Sequence, residues 1–198
     1  MDKAIKKTEK VIETVWKATD GLQAFQEAVY EIEISPKGEV KRTKKNSFWG
    51  FRDENEQVVI PTIYSCVWKF EGGLTKVYKN DKWGVINKCG DIIIPFDFQT
   101  LHFTSDGMVQ VQKNNKWGCL RKDGQTVIAP QYDYIFPFCG VFAGIKAGTL
   151  YGFVHINGEE IISPRFNEIG QISPDGTVRV RQGTTWEQIV LFENQIFE

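Results

Sequence analysis

Residues 82–98 read KWGVINKCGDIIIPFDF and residues 116–132 read KWGCLRKDGQTVIAPQY, two stretches that begin 34 residues apart. Inside them the apolar residues alternate with polar ones, the period of a strand and not of a helix. Trp83 and Val85 share one face of a strand over Lys82 to Asn87, Lys88-Cys89-Gly90-Asp91 is turn chemistry, and Ile92, Ile93 and Ile94 form a strand halted by Pro95. Upstream, Leu74 to Asn80 alternates with Val77 on one face and Lys76 and Tyr78 on the other, and Asn80-Asp81 supplies a tight turn. The looser segment from Phe96 to Gly107 then crosses to the next copy. One unit is therefore expected to be a three-stranded antiparallel meander plus a connection.

The same spacing runs through the chain. Trp49-Gly50, Trp83-Gly84, Trp117-Gly118 and Tyr151-Gly152 recur every 34 residues, and Ile60, Ile94, Ile128 and Ile162 keep their register. Tyr30, Tyr64, Phe98, Tyr132 and Phe166 form an aromatic column, Gly90, Gly124 and Gly158 a turn column in which Glu56 stands in the earlier copy, and Gly38, Gly72 and Gly140 another. Ser35-Pro36-Lys37-Gly38 resembles Ser173-Pro174-Asp175-Gly176, although the second leads to Trp186 with a one-residue slip. Residues 30–198 thus hold about five units, which assigns the chain to the repeat architectures. Two arrangements satisfy this count: an open twisted β array, or a closed five-bladed, propeller-like ring.

Residues 1–29 read differently. Ile5, Thr8, Ile12, Val15, Thr19 and Leu22 recur at three- and four-residue steps between Lys and Glu, which predicts an amphipathic helical segment. Asp20 with Gln23 has the form of a capping box opening a second short helix. Two roles are expected for residues 3–29: a cap over the first unit using Ile5, Ile12, Val15, Trp16 and Leu22, or self-association through the helix.

Lys82-Trp83-Gly84, Ile94-Pro95 and Gln131-Tyr132-Asp133 resemble the WG-repeat family of bacterial proteins, over roughly residues 30–198. The resemblance implies a repeat scaffold and no general catalytic activity. The chain departs from that pattern at Phe48 and Leu150, where Lys is usual, at Tyr151 for Trp, and at Thr185-Trp186-Glu187, which lacks the Gly. The Trp and Tyr of the signature (Trp49, Trp83, Trp117, Tyr151) are expected to pack against the next unit, and the Gly (Gly50, Gly84, Gly118, Gly152) to allow close backbone approach or a bulge.

Composition excludes more than it assigns. Aromatics make up 13% and Gly numbers 18, in keeping with short strands and turns, while a net charge of −1 gives no general attraction to nucleic acid. Cys66, Cys89, Cys119 and Cys139 contain neither a C-x-x-C pair nor metal-ligand spacing, so reduced thiols in a cytoplasmic protein are expected, with no metal and no cofactor. Met1 to Lys10 is charged and has no apolar core of the signal-peptide kind, and no apolar run is long enough to span a membrane. His102 and His155 occupy unrelated columns without a nucleophile motif, so no catalytic residue is assigned. Binding candidates are the basic run Lys41, Arg42, Lys44 and Lys45, which is equally a charged strand edge, and the connection column Trp68, His102 and Phe136. The expected function is a non-enzymatic protein-interaction module, an adaptor or inhibitor-like scaffold. A carbohydrate or cell-envelope ligand module is the alternative, and an enzyme a third.

Overall fold

The computed structural model describes residues 5–192, and every regular element among them is a β-strand. The ends of the expected segments, residues 1–4 and 193–198, lie outside the described residues. Five separate antiparallel sheets follow one another along the chain, and none closes into a barrel. Sheet 1 comprises β1 (Ile5–Val15), β2 (Gln23–Ile34), β3 (Val40–Arg52) and β4 (Val58–Tyr64). Sheet 2 comprises β5 (Cys66–Val67), β6 (Leu74–Lys79), β7 (Lys82–Asn87) and β8 (Ile92–Phe98). Sheet 3 is β9 (Thr100–Phe103), β10 (Met108–Lys113), β11 (Lys116–Arg121) and β12 (Thr126–Tyr132). Sheet 4 is β13 (Tyr134–Ile135), β14 (Phe142–Ala147), β15 (Leu150–His155) and β16 (Glu160–Phe166). Sheet 5 holds β17 (Glu168–Ile169), β18 (Thr177–Gln182) and β19 (Thr185–Val190).

The three-stranded unit expected from sequence is corrected to four strands. The extra strand lies in the connection and is only two to four residues long in sheets 2 to 4. That is too short to show a period, and its place is set by backbone pairing such as Ile135↔Ile145. Sheet 5 alone has three strands among the described residues.

The chain divides into two compact units, residues 1–97 and 98–198. In the first, one core joins Leu22, just before β2, and Phe51, Ile60 and Tyr64 of sheet 1 to Val67, Phe70, Val77 and Ile86 of the following segment and sheet. In the second, two cores do the same: Cys119, Ile128 and Tyr132 meet Ile135, Ile145 and Val154, while Phe153, Ile162 and Phe166 meet Ile172, Val178 and Val180. Each core is thus filled from two successive sheets, because a single thin meander cannot bury both faces of its own strands.

The Trp-Gly column has a structural cause in its glycine. A Cβ on Gly50, Gly84, Gly118 or Gly152 would lie 2.5, 2.9, 2.5 or 2.3 Å from the carbonyl oxygen of Ile60, Ile94, Ile128 or Ile162. In sheets 1, 3 and 4 the register of strand pairing shifts at this point, between Trp49 and Phe51, Trp117 and Cys119, and Tyr151 and Phe153. The glycine therefore admits a bulge that brings the neighbouring backbone into the space of a side chain. In sheet 5 no fourth strand follows among the described residues, and Glu187 stands where the glycine would be.

The helical segment is overturned. Residues 5–15 are strand β1, paired with β2 from Ile5↔Ile34 to Val15↔Phe25. Six of its eleven residues are β-branched (Ile5, Thr8, Val11, Ile12, Thr14 and Val15), which opposes helix and suits a strand. Within β1 the apparent helical period faces no core, since Ile5, Ile12 and Val15 are exposed, and of the expected series Leu22, beyond the strand, is the buried member. Charge pairing across the strands holds them instead: Lys10 to Glu27 at 2.6 Å, Arg42 to Glu9 at 3.0 Å, Lys44 to Glu13 at 2.5 Å and Lys45 to Glu31 at 2.7 Å. Asp20-Gly21 caps no helix. Both residues have positive φ, 52° and 81°, in a turn closed by the Thr19↔Leu22 bridge, as Gly72-Gly73 is closed by Glu71↔Leu74.

That equivalence relocates the first unit. Gln26 pairs with Trp49 as Tyr78 pairs with Trp83, so β2 takes the place of β6. Where β6 and β7 are joined by Asn80-Asp81 alone, β2 and β3 run on as a long ribbon to the Ser35-to-Gly38 turn. Tyr30 lies in that ribbon and does not begin a unit.

Candidate binding surface

In sheets 1, 2, 4 and 5 the residue just after the first strand donates its backbone N–H to the second strand. Trp16 N–H bonds the Ala24 carbonyl at 2.9 Å, Trp68 that of Lys76 at 3.0 Å, Phe136 that of Gly144 at 2.9 Å and Gly170 that of Arg179 at 2.7 Å. His102, opposite Gln110, holds the same place in sheet 3. This pairing aims the side chain at the signature ring on the next strand. Ring centroids are 4.7 Å apart for Trp16 and Trp49, 6.4 Å for Trp68 and Trp83, 6.1 Å for His102 and Trp117, and 6.2 Å for Phe136 and Tyr151.

The signature rings are therefore not the core. Trp49, Trp83, Trp117 and Tyr151 are half-buried, with Trp49 and Trp117 resting on the cores. The fully buried column is two residues on: Phe51, Val85, Cys119 and Phe153. Cys119 is a small, fully buried core residue, and burial pushes its thiol up to about 12. The outward rings are Trp68 at 50% exposure, Tyr134 at 42%, Trp186 at 41% and Trp16 at 37%. In the second unit contacts run on from ring to ring, through His102, Trp117, Tyr134, Phe136 and Tyr151.

Cations decorate this surface. Lys76 Nζ lies 4.3 Å from the Trp68 ring and 5.2 Å from Trp83, and the Arg179 guanidinium lies 5.2 Å from Trp186. Burial holds the Lys76 ammonium below its ordinary value. Lys76, Gln110, Gly144 and Arg179 occupy one position in successive sheets. Gln110 uses its amide to donate to the Ile135 carbonyl at 3.2 Å, whereas Gly144 reaches nothing with a side chain. Beside Gly144 lies a cleft of about 540 Å³ within the second unit, lined by Phe136, Phe138, Cys139, Ile169, Gly170 and Ile172 among others.

The structure brings Trp68, His102 and Phe136 to equivalent surface positions, each against a signature ring. Lys41, Arg42, Lys44 and Lys45 are exposed on β3 in the ribbon, remote in sequence pairing from the ring positions. Three of these four cations are engaged with Glu9, Glu13 and Glu31, and Arg42 also lies over the Tyr30 ring at 3.9 Å. Hydrogen bonds from Lys44 and then Tyr30 hold the Glu13 carboxyl below the usual range. The run is a charge ladder between strands. Gln131-Tyr132-Asp133 also finds its use: Asp133 accepts from Lys116 Nζ at 2.5 Å and from the Gly148 N–H at 2.6 Å, tying one hairpin to the next and holding its carboxyl below the usual range.

Sequence reading missed Trp16 and Trp186 as members of the ring surface, and the cleft altogether. Trp16 stands 33 residues before Trp49, where Trp68 stands 15 before Trp83, so the ribbon hides its register. Among the described residues no cluster of three or more His, Cys, Asp or Glu could hold a metal, and no helix is long and apolar enough to cross a membrane.

Successive small meanders, bulged at a Trp-Gly pair and carrying half-exposed rings at one recurring position, define a β-repeat scaffold. Residues 49–83, 83–117, 117–139 and 151–186 match the WG containing repeat, and the chain belongs to that family. A comparison with the curated proteins gives no match.

Proposed function

We propose that this chain is a non-enzymatic scaffold that binds another protein through its repeated ring surface, in the cytoplasm. One observation carries the reading: the position held by Trp16, Trp68, His102 and Phe136 is fixed by backbone pairing while its side chain varies. A constant frame that presents different rings at regular steps suits selection of a partner, and Trp and Tyr are the residues that most often dominate interface energies. The cleft lining beside Phe136 is apolar in the main, which favours an apolar side chain over a sugar. Four free cysteines are compatible with a reducing compartment. Self-association through residues 3–29 would have to run along β1 as a sheet edge, and Lys6, Lys7 and Lys10 there oppose edge pairing.

The test is affinity capture from native cells on immobilised wild-type chain beside Trp68→Ala and Phe136→Ala. A protein held by the wild type and weakened at least tenfold by one substitution, about 1.4 kcal/mol, is the expected result. Recovery of the same proteins on all three columns would sink the reading. The half-exposed rings also support carbohydrate binding, which predicts retention of the wild type on envelope glycans and loss of retention in the same variants.

A further inference from the structure

The fifth ring position is empty of a ring in this chain. Gly170 occupies the place held by Trp16, Trp68, His102 and Phe136, and it keeps the backbone bond that aims such a residue, to the Arg179 carbonyl. The rest of the arrangement is complete. Trp186 stands at the signature position, opposite Arg181 as Trp83 stands opposite Tyr78. Arg179 lies over Trp186 as Lys76 lies over Trp83. Trp186 is accordingly exposed, and among the described residues it has no ring contact like the one its counterparts receive. Gly170 also lines the apolar cleft, as does Gly144, whose missing side chain lets Ile169 and Phe136 approach its backbone where Gln110 reaches across in the preceding pair of sheets.

We propose that Gly170 is an acceptor site for an aromatic side chain of a partner protein, which completes the fifth ring pair from outside. The occupant is a Trp, Tyr or Phe on a peptide segment, lying between Arg179 and Trp186, with an adjacent apolar residue of the segment in the cleft. The chemistry is the one this chain uses four times internally, a ring against the signature ring, in sheet 2 with the Lys76 cation beside both rings as Arg179 lies over Trp186. Backbone conformation does not require glycine at 170, since its φ is not positive, and a Cβ there would meet nothing closer than 3.4 Å. The absent side chain is therefore not a demand of the fold.

This inference rests on the protein-binding reading and narrows it to one site. Its test uses the whole chain and N-acetyl-tryptophanamide as the probe, with N-acetyl-alaninamide and a soluble chitin oligosaccharide as controls, followed by the amide resonances of Gly170 and Arg179. The tryptophan amide is expected to shift both resonances saturably, and the two controls to leave them in place. Gly170→Trp supplies the ring in cis. It is expected to abolish the response and to raise the melting temperature by about 2–4 °C. Trp186→Ala should weaken the response at least tenfold with little change in melting. Equal shifts with the alanine amide, a response only to the oligosaccharide, or an undiminished response in Gly170→Trp would each overturn the site. The wider reading is judged separately at Trp68 and Phe136, so partner capture that depends on those rings and ignores Gly170→Trp overturns this inference alone.

Discussion

At the scale of single residues, two glycine columns do opposite things, and substitutions separate them. Gly118 has ordinary negative-φ backbone but no room, its Cβ position lying 2.5 Å from the Ile128 carbonyl oxygen and 2.7 Å from the Pro130 nitrogen. Gly118→Ala must push backbone against backbone, so it is expected to cost about 1–3 kcal/mol in chemical denaturation. Glu56 presents the reverse case: its φ is 63°, where Gly90, Gly124 and Gly158 sit at 88°, 88° and 97°. A left-handed conformation penalises a side chain, so Glu56→Gly is expected to stabilise by roughly 0.5–1 kcal/mol. The pair with Arg52 that it forfeits, at 3.4 Å and with the Glu56 carboxylate out in solvent, offsets little of that. A destabilised Glu56→Gly would show that the turn is held by that pair and not strained. Both columns were legible in the sequence as spacing, and close backbone approach at the Trp-Gly glycines was expected from it, whereas the positive φ of Glu56 left no trace in the residue type.

At the scale of elements, spacing reported the regular units well and the first one poorly. The 34-residue step located the Trp-Gly bulges and the turn at Asn80-Asp81 because each is a local backbone demand, whereas the strand expected to halt at Pro95 runs on through it, as β8, to Phe98. The two-residue strands β5, β13 and β17 left no periodic trace, being defined by their partners. Residues 5–15 deceived for a related reason: a solvent-facing ribbon has no buried face, so its apolar residues need obey no strand period. Only the complementary charges on β1, β2 and β3 record the pairing, and they sit far apart in sequence. The ribbon should therefore respond to acid before the cores do. Glu13 and Glu31 are both held below the usual carboxylate range, chiefly by hydrogen bonds from Lys44 and Lys45. A carboxyl lowered in the folded state stabilises above its unfolded value, and that contribution is lost as pH falls through the lowered one. Amide protection in residues 29–34 and 40–46 is expected to decline over this acid range, while that of Val77 and Val85 persists. Glu13→Gln should flatten the decline, and parallel loss at all sites would refute the assignment.

At the scale of the whole molecule, each of the three cores described above is built from two neighbouring sheets within one compact unit. Stability in such a chain accumulates from local interfaces, so damage should stay near its origin. Phe51 tests this because it is 1% exposed, packs edge-on against Phe70 with centroids 4.8 Å apart, and belongs to the core that joins sheets 1 and 2. Truncating a buried phenylalanine removes both its transfer free energy and its contacts, so Phe51→Ala is expected to cost about 3–5 kcal/mol locally. Hydrogen exchange followed by mass spectrometry would then show faster exchange in peptides from residues 16–97 and little change in those from 104–192. The same experiment with Phe153→Ala should reverse the pattern, since Phe153 lies in the core shared by sheets 4 and 5. Acceleration spread evenly over all peptides in either variant would mean that the chain opens as one cooperative body. The ring surface depends on the outcome: if the units open separately, the positions of Trp68 and of Phe136 can be weakened one at a time, and a partner that needs both will lose affinity to either core mutation.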